Sequence, residues 1–206
     1  MSRDGGPSRR SIIDATARLV VAQGVEGIRI RQVAAEAGLS TGAVLYHFPD
    51  QDALLLAVHE DAVGRYLATR RLACEQGATP FDRITSVARA GVPPWADRDT
   101  IRLFYEMHGR TARNSEHAGL LARLWTAEHS LYVDLIEAGI ASGDFVTEAA
   151  ADVATQLLGL EDGLVLQQVS ENPGFDGEVV VRMFTQAARV LLGIAGPASA
   201  VDGRVL

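Results

Sequence analysis

The sequence predicts an all-α fold, with a small N-terminal helix-turn-helix domain followed by a larger helical domain. Three observations carry that prediction. Apolar residues recur at helical spacing along nearly the whole chain. The breaks between periodic stretches fall at glycine, proline or a residue suited to cap a helix. No run alternates apolar and polar residues as a half-buried strand does. With 206 residues, 48% of them hydrophobic and 22% charged, the chain can bury a sizeable core.

The elements follow in order. A first helix spans 8–23, with Ile12, Ala15 and Leu19 at helical spacing and Gly24 ending it. A second, 31–37, is closed by Gly38, where a left-handed residue is wanted. Ser40 is a good N-cap for a third helix, 41–47. Pro49 stops that helix, and Asp50 caps a long fourth one reaching about residue 75. Further helices fall at about 80–92, 98–112, 115–142, 149–170 and 177–193. They are separated by Gly77-Ala78-Thr79-Pro80, Val92-Pro93-Pro94, Arg113-Asn114, Ser142-Gly143 and Asn172-Pro173-Gly174. The reading divides the chain into 1–50, with a flexible arm at about 1–7, and 51–206, with a loose tail at about 194–206.

Composition narrows the function classes. Cys74 is the only cysteine, so no intrachain disulfide forms and no zinc site can rest on thiolates. No apolar run approaches the roughly 18 residues of a membrane span. The start MSRDGGPSRRS lacks the apolar core of a secretory signal. A cytoplasmic protein is expected, with no membrane partner. The formal charge of -7 is uneven: residues 1–50 hold six arginines against five acids, and the chain has no lysine. Since phosphate attraction is local and salt-screened, an acidic total does not exclude nucleic acid.

Short helices joined by a tight turn describe a helix-turn-helix. Ala34, Ala35 and Ala37 let the second helix lie close to its neighbours, Gly38 permits the reversal, and Leu39 plugs the small core. Ser40, Thr41, Gly42 and Ala43 are small or hydroxylated, so the start of the third helix can enter a major groove and reach base edges or phosphates.

The stretch "IRQVAAEAGLSTGAVLYHFPDQDALL", following "IIDATARLVVAQGVEGIRI", resembles the N-terminal domain of the tetracycline-repressor (TetR) family of bacterial regulators. The resemblance covers about residues 10–57. "LFYEMHGRTARN" with "GIASGDF" is faintly similar to a sub-group of TetR ligand domains that includes choline-responsive regulators. The resemblance implies a homodimer whose two third helices read successive major-groove faces of double-stranded DNA. It implies Arg31 on phosphate or base, Ser40, Thr41, Gly42 and Ala43 at base edges, and Tyr46 and His47 on the phosphate backbone. Three positions depart from the family pattern. Arg29 stands where a capping threonine is usual, which removes a cap or substitutes a cation–phosphate contact. Leu45 stands where tyrosine is frequent. Gln51 replaces the usual lysine and is flanked by Asp50 and Asp52, two carboxylates that should weaken phosphate binding, so a modest affinity that falls steeply with salt is expected.

In the larger part, aromatics gather in the middle. Phe104, Tyr105 and His108 share a face of one helix, Leu121, Trp125, Glu128 and Tyr132 form a stripe on the next, and Trp95 precedes both. These residues are either plain core or, as the resemblance implies, the wall of an effector pocket. If Glu106 or Glu128 faces an aromatic cavity, a cationic ligand becomes attractive. Near the end, Val153, Leu157, Leu160 and Leu164 line one helix, with Gly159 and Gly163 four apart. Val180, Met183, Phe184, Ala187 and Leu191 line the next. Both stripes either cover the intrachain core or, in line with the resemblance, build a four-helix dimer interface.

No constellation supports an enzyme: GxSxG, GxxxxGK[ST] and GxGxxG are absent, and His59-Glu60 lacks the second histidine of a HExxH site. His108, His117 and His129 share no ligand spacing, and neither cofactor nor metal is expected. The reading is a dimeric, ligand-responsive regulator acting on an inverted-repeat operator, most simply as a repressor. An activator of the same architecture remains open, as does a ligand sensor whose helix-turn-helix has weakened.

Overall fold

Residues 5–93, 97–112, 114–147 and 149–194 are described by a computed structural model, and among them all regular structure is helical. The order is α1 (Gly5–Gln23), a 3-10 turn (Val25–Gly27), α2 (Ile30–Glu36), α3 (Thr41–His47), α4 (Gln51–Cys74), α5 (Pro80–Ala90), α6 (Arg98–His108), α7 (Ser115–Ser142), α8 (Ala150–Val169) and α9 (Gly177–Leu191). No helix among the described residues is long and apolar enough to cross a membrane. Residues 1–4 of the expected arm and 195–206 of the expected tail lie outside the described residues.

Local chemistry accounts for the boundaries. Helix α1 starts at Gly5 rather than at residue 8, because Pro7 in a first turn sacrifices an N–H that has no helical partner anyway. Thr79 and Asp82 form a reciprocal capping box at α5, with Pro80 at the first helical position. Helix α6 ends at His108, four residues earlier than its periodicity suggests, where Gly109 follows. Gly143 closes α7 at φ 80°, with the Asp144 N–H returning to the Gly139 carbonyl at 2.9 Å.

The chain forms two compact units. One comprises residues 1–69 and 96–126, the other residues 70–95 and 127–206. This grouping differs from a cut at residue 50, and packing gives the reason. Leu103 and Met107 of α6 are buried in the same cluster as Ile12, Val20, Val44 and Leu54, so the first unit needs α6 and most of α4 to close its core. In the second unit α9 packs on both α8 and α5, burying Val153, Leu157, Val180 and Phe184.

Candidate functional site

The turn between α2 and α3 is built from backbone needs. Ala37 ends α2, and Gly38 adopts φ 67°, a left-handed conformation costly for a residue with a Cβ. The Gly38 N–H donates to the Ala35 carbonyl at 3.2 Å and the Leu39 N–H to the Ala34 carbonyl at 2.8 Å, the paired bonds of a glycine C-cap. That reversal folds Leu39 onto the core around Val33 and Val44. Ser40 then caps α3, its Oγ accepting the Ala43 N–H at 3.1 Å. The hydroxyl proton of Ser40 stays available to donate outward.

The expected DNA-reading residues therefore lie together on α3 and its flanks. Ser40, Thr41 and Gly42 are exposed, and Ala43 is half-buried. Tyr46 is 80% exposed, its ring edge-on to that of half-buried His47 with centroids 5.3 Å apart. Phe48, next in sequence, is buried and anchors the end of α3, with the Arg9 guanidinium over its ring at 5.2 Å. Arg31 is exposed on α2. Arg29, also exposed, braces the backbone. Its guanidinium donates to the carbonyls of Glu26 at 2.9 Å and Ile28 at 2.7 Å, bracing the turn that the missing threonine cap would have held. Arg10 and Arg18 are paired, the first with Asp14 and Asp61 and the second with Glu36.

Both acids beside Gln51 have structural partners. Asp50 accepts the Ala53 N–H at 2.8 Å as the cap of α4. Asp52 forms an ion pair with Arg110, just past the end of α6. Glu106 of α6 accepts the Val25 N–H at 3.3 Å, so it serves the turn after α1 and does not wait in an aromatic cavity.

The expected effector residues separate into two groups. In the first unit, half-buried Phe104 meets Tyr66 edge-on at 5.1 Å, and both pack with Leu121 around Val63, Leu120 and Leu124. Tyr105 is half-buried, while His108 and Trp125 are exposed. A cleft of about 260 Å³ between α1, α4 and α6 contains none of the expected effector residues. Trp95 lies outside the described residues. In the second unit, Glu128 and Tyr132 belong to a buried ionic cluster. Arg70, fully buried, binds Glu161 through both terminal nitrogens, the second at 3.0 Å, and lies 3.3 Å from Glu128 through Nε. The Tyr132 hydroxyl donates to Glu161 at 2.6 Å.

Sequence reasoning missed Arg70 and Glu161. The available signal was a charge inside an apolar stripe: Arg70 follows Val63 and precedes Ala73, and Glu161 sits between Leu157 and Leu164. It also missed His59 and His117, which are both buried and face each other in the first unit.

The stripes on α8 and α9 divide likewise. Val153, Leu157, Leu164, Val180 and Phe184 are buried in the chain's own core, and Leu160, Ala187 and Leu191 are half-buried. Met183 is exposed. The outward faces also carry Leu166 and Val190, and Gly159 and Gly163 have open space where a Cβ would stand.

Comparison with known proteins gives concordant matches. Residues 12–58 match the family of bacterial regulatory proteins described as the tetR family, and residues 80–193, just over half of the chain, match the C-terminal part of BetI-type transcriptional repressors. The HTH-type transcriptional regulator PksA of Bacillus subtilis is 26% identical over 192 residues, 86% of each chain. The HTH-type transcriptional regulator BetI of Burkholderia thailandensis is 26% identical over 191 residues, 89% of this chain and 93% of that one. A transcriptional regulator of Saccharomonospora viridis, solved in complex with choline, shares the fold with a TM-score of 0.81 at 23% identity, over 86% of this chain and 93% of that one.

Proposed function

The chain is a transcriptional regulator belonging to the TetR family, and on that premise we propose that it is a homodimeric repressor released from an inverted-repeat operator by a small effector. The observation that carries the reading is the start of α3. Ser40 caps it, Thr41 and Gly42 are exposed with no bulk in front of the helix amides, and Tyr46 stands 80% exposed one turn further on. Small hydroxylated residues at a helix N-terminus suit a major groove, and an aromatic hydroxyl suits the flanking phosphates.

Dimerisation is proposed through the outward faces of α8 and α9. Gly159 and Gly163 would allow a second copy's backbone to approach closely, and Leu160, Leu166, Met183 and Val190 supply apolar area that water otherwise covers. The effector is proposed to be a small cation. The choline bound by the Saccharomonospora protein fits that class. Effector and operator must favour different states of the dimer for release to follow.

The test is selection of the purified protein against a randomised duplex pool at low and moderate salt. Enrichment of one inverted repeat, with choline chloride lowering affinity for it more than sodium chloride at equal ionic strength, is the expected result. No enriched repeat at either salt refutes the operator reading, and equal effects of the two salts refute choline as the effector.

A further inference from the structure

The DNA-reading surface leaves unused a pair of imidazoles in the first unit. His59 of α4 and His117 in the first turn of α7 are both 0% exposed. Their Nδ1 atoms are 2.9 Å apart, and the ring planes lie within 24° of each other. The ring centres are 5.2 Å apart. A nitrogen–nitrogen distance so much shorter than the centre separation sets both nitrogens near the line between the rings, so the rings meet head-on and not face to face.

Two imidazole nitrogens at hydrogen-bonding distance require one donor and one acceptor. In the neutral pair one Nδ1–H bridges to the other Nδ1, and the acceptor ring keeps its own proton on Nε2. Both Nε2 atoms are buried without a hydrogen-bond partner. One extra proton therefore lands on a buried Nε2 to which the protein offers no hydrogen-bond acceptor. A second extra proton sets two N–H groups against each other across 2.9 Å and breaks the bridge.

We propose that the His59–His117 pair is an acid-sensitive latch between α4 and α7, closed while one proton bridges the rings and opened when acid charges them. Helix α4 starts four residues after α3 ends, so opening the latch two turns into α4 loosens the support of the reading helix and lowers operator affinity. That last consequence rests on the proposed DNA-reading function, whereas the latch itself does not.

The surroundings favour the neutral pair. Burial, then His117, then His108 of α6 push the His59 imidazole down to about 4 from its ordinary 6.5. His117 is lowered by burial and by Arg110, against the opposing pull of Asp52, Glu60 and Glu116. Both folded values lie below the unfolded one, so the opened or unfolded state binds more protons. The pair's contribution is fully present above pH 6.5 and is lost as pH falls toward 4.

The wild-type chain is tested first, by nitrogen-15 NMR of its histidines between pH 7.5 and 4.5. The expected result is a through-bond coupling between the two Nδ1 atoms and titration of both rings well below the ordinary range. Absence of the coupling, or ordinary titration, overturns the latch. Urea unfolding supplies a second readout: His59 alone should reduce the folded-to-unfolded ratio roughly 25-fold between pH 7.5 and 5. The double variant His59→Leu/His117→Leu should lose that component, and an unchanged pH dependence in a folded double variant also overturns the latch. Should the variant not fold, the NMR result on the wild type decides. Binding to the selected duplex should weaken from pH 7.5 to 5.5 in the wild type. Undiminished binding with the coupling present overturns the regulatory consequence alone. No duplex bound even at pH 7.5 refutes the DNA-reading function, while NMR and urea still decide the latch.

Discussion

Replacing Glu161 with leucine should destabilise the chain by about 3 kcal/mol, the low end of what removing one partner of a buried ion pair costs. The structure sets the size. Arg70 has no exposed surface and gives both terminal nitrogens to Glu161, so the substitution strands most of a guanidinium charge in the interior. The Tyr132 hydroxyl loses its 2.6 Å acceptor at the same time. Glu128, 3.3 Å from Arg70 Nε, keeps the charge partly compensated, which holds the cost below the upper end of the range. For a chain of this size each kcal/mol moves the melting temperature by about 2–4 °C, so a drop of roughly 6–12 °C is expected. Urea unfolding followed by circular dichroism at fixed protein concentration gives the free energy directly. The companion variant Arg70→Met/Glu161→Leu removes both charges of the pair and should recover part of the loss, since apolar replacement of a buried pair is often neutral or better, while buried Glu128 then loses the Arg70 cation. A Glu161→Leu change within about 1 kcal/mol of wild type, or a double variant no more stable than the single one, would refute the assignment of this cluster as a mutually dependent buried pair.

Three other substitutions probe particular interactions. Gly139→Ala drives a methyl into the Phe145 ring and should cost about 1–3 kcal/mol, with Phe145→Leu in the same chain restoring part of it in the same unfolding assay. Ser40→Ala removes the α3 cap and should lower stability by about 1 kcal/mol, while duplex affinity measured by fluorescence anisotropy falls as well. Arg31→Ala should weaken binding similarly for all duplex sequences and make the slope of log affinity against log salt shallower by about one for each phosphate no longer neutralised; an unchanged slope would remove Arg31 from the phosphate-binding residues.

The helix-turn-helix was legible because its signals are local. A glycine with no Cβ at the reversal and a serine at the start of α3 each act on backbone groups within a few residues, so Gly38 and Ser40 could be assigned before any tertiary contact was known. The ionic cluster was not legible for the opposite reason. Arg70 and Glu161 are 91 positions apart and each alone reads as a surface residue; only their pairing makes burial tolerable. The stripes on α8 show a third limit. Helical spacing identifies an apolar face but does not say whether that face turns inward, and the inward face proved to hold Val153, Leu157 and Leu164, with the glycines turned out. Asp50 and Asp52 divide along the same line: the cap at Asp50 is local and was visible, whereas the arginine that pairs with Asp52 comes from 58 positions away and was not.

Those two acids also explain how a chain of formal charge -7 can present a reading surface to a polyanion. Repulsion between exposed charges decays within about a Debye length, so what matters is the charge left uncompensated near α3. Arg110 offsets Asp52 from the protein side, and the backbone of α4 engages Asp50 as a cap. Glu106, on the same helix that leads into Arg110, fastens the turn after α1 through the Val25 N–H. Within the first unit, α6 and the turn after it therefore hold two places, the turn ahead of α2 and the start of α4, with α3 lying between those points in the chain. Any shift of α6 would strain both contacts together, the one ahead of α2 and the one at the start of α4.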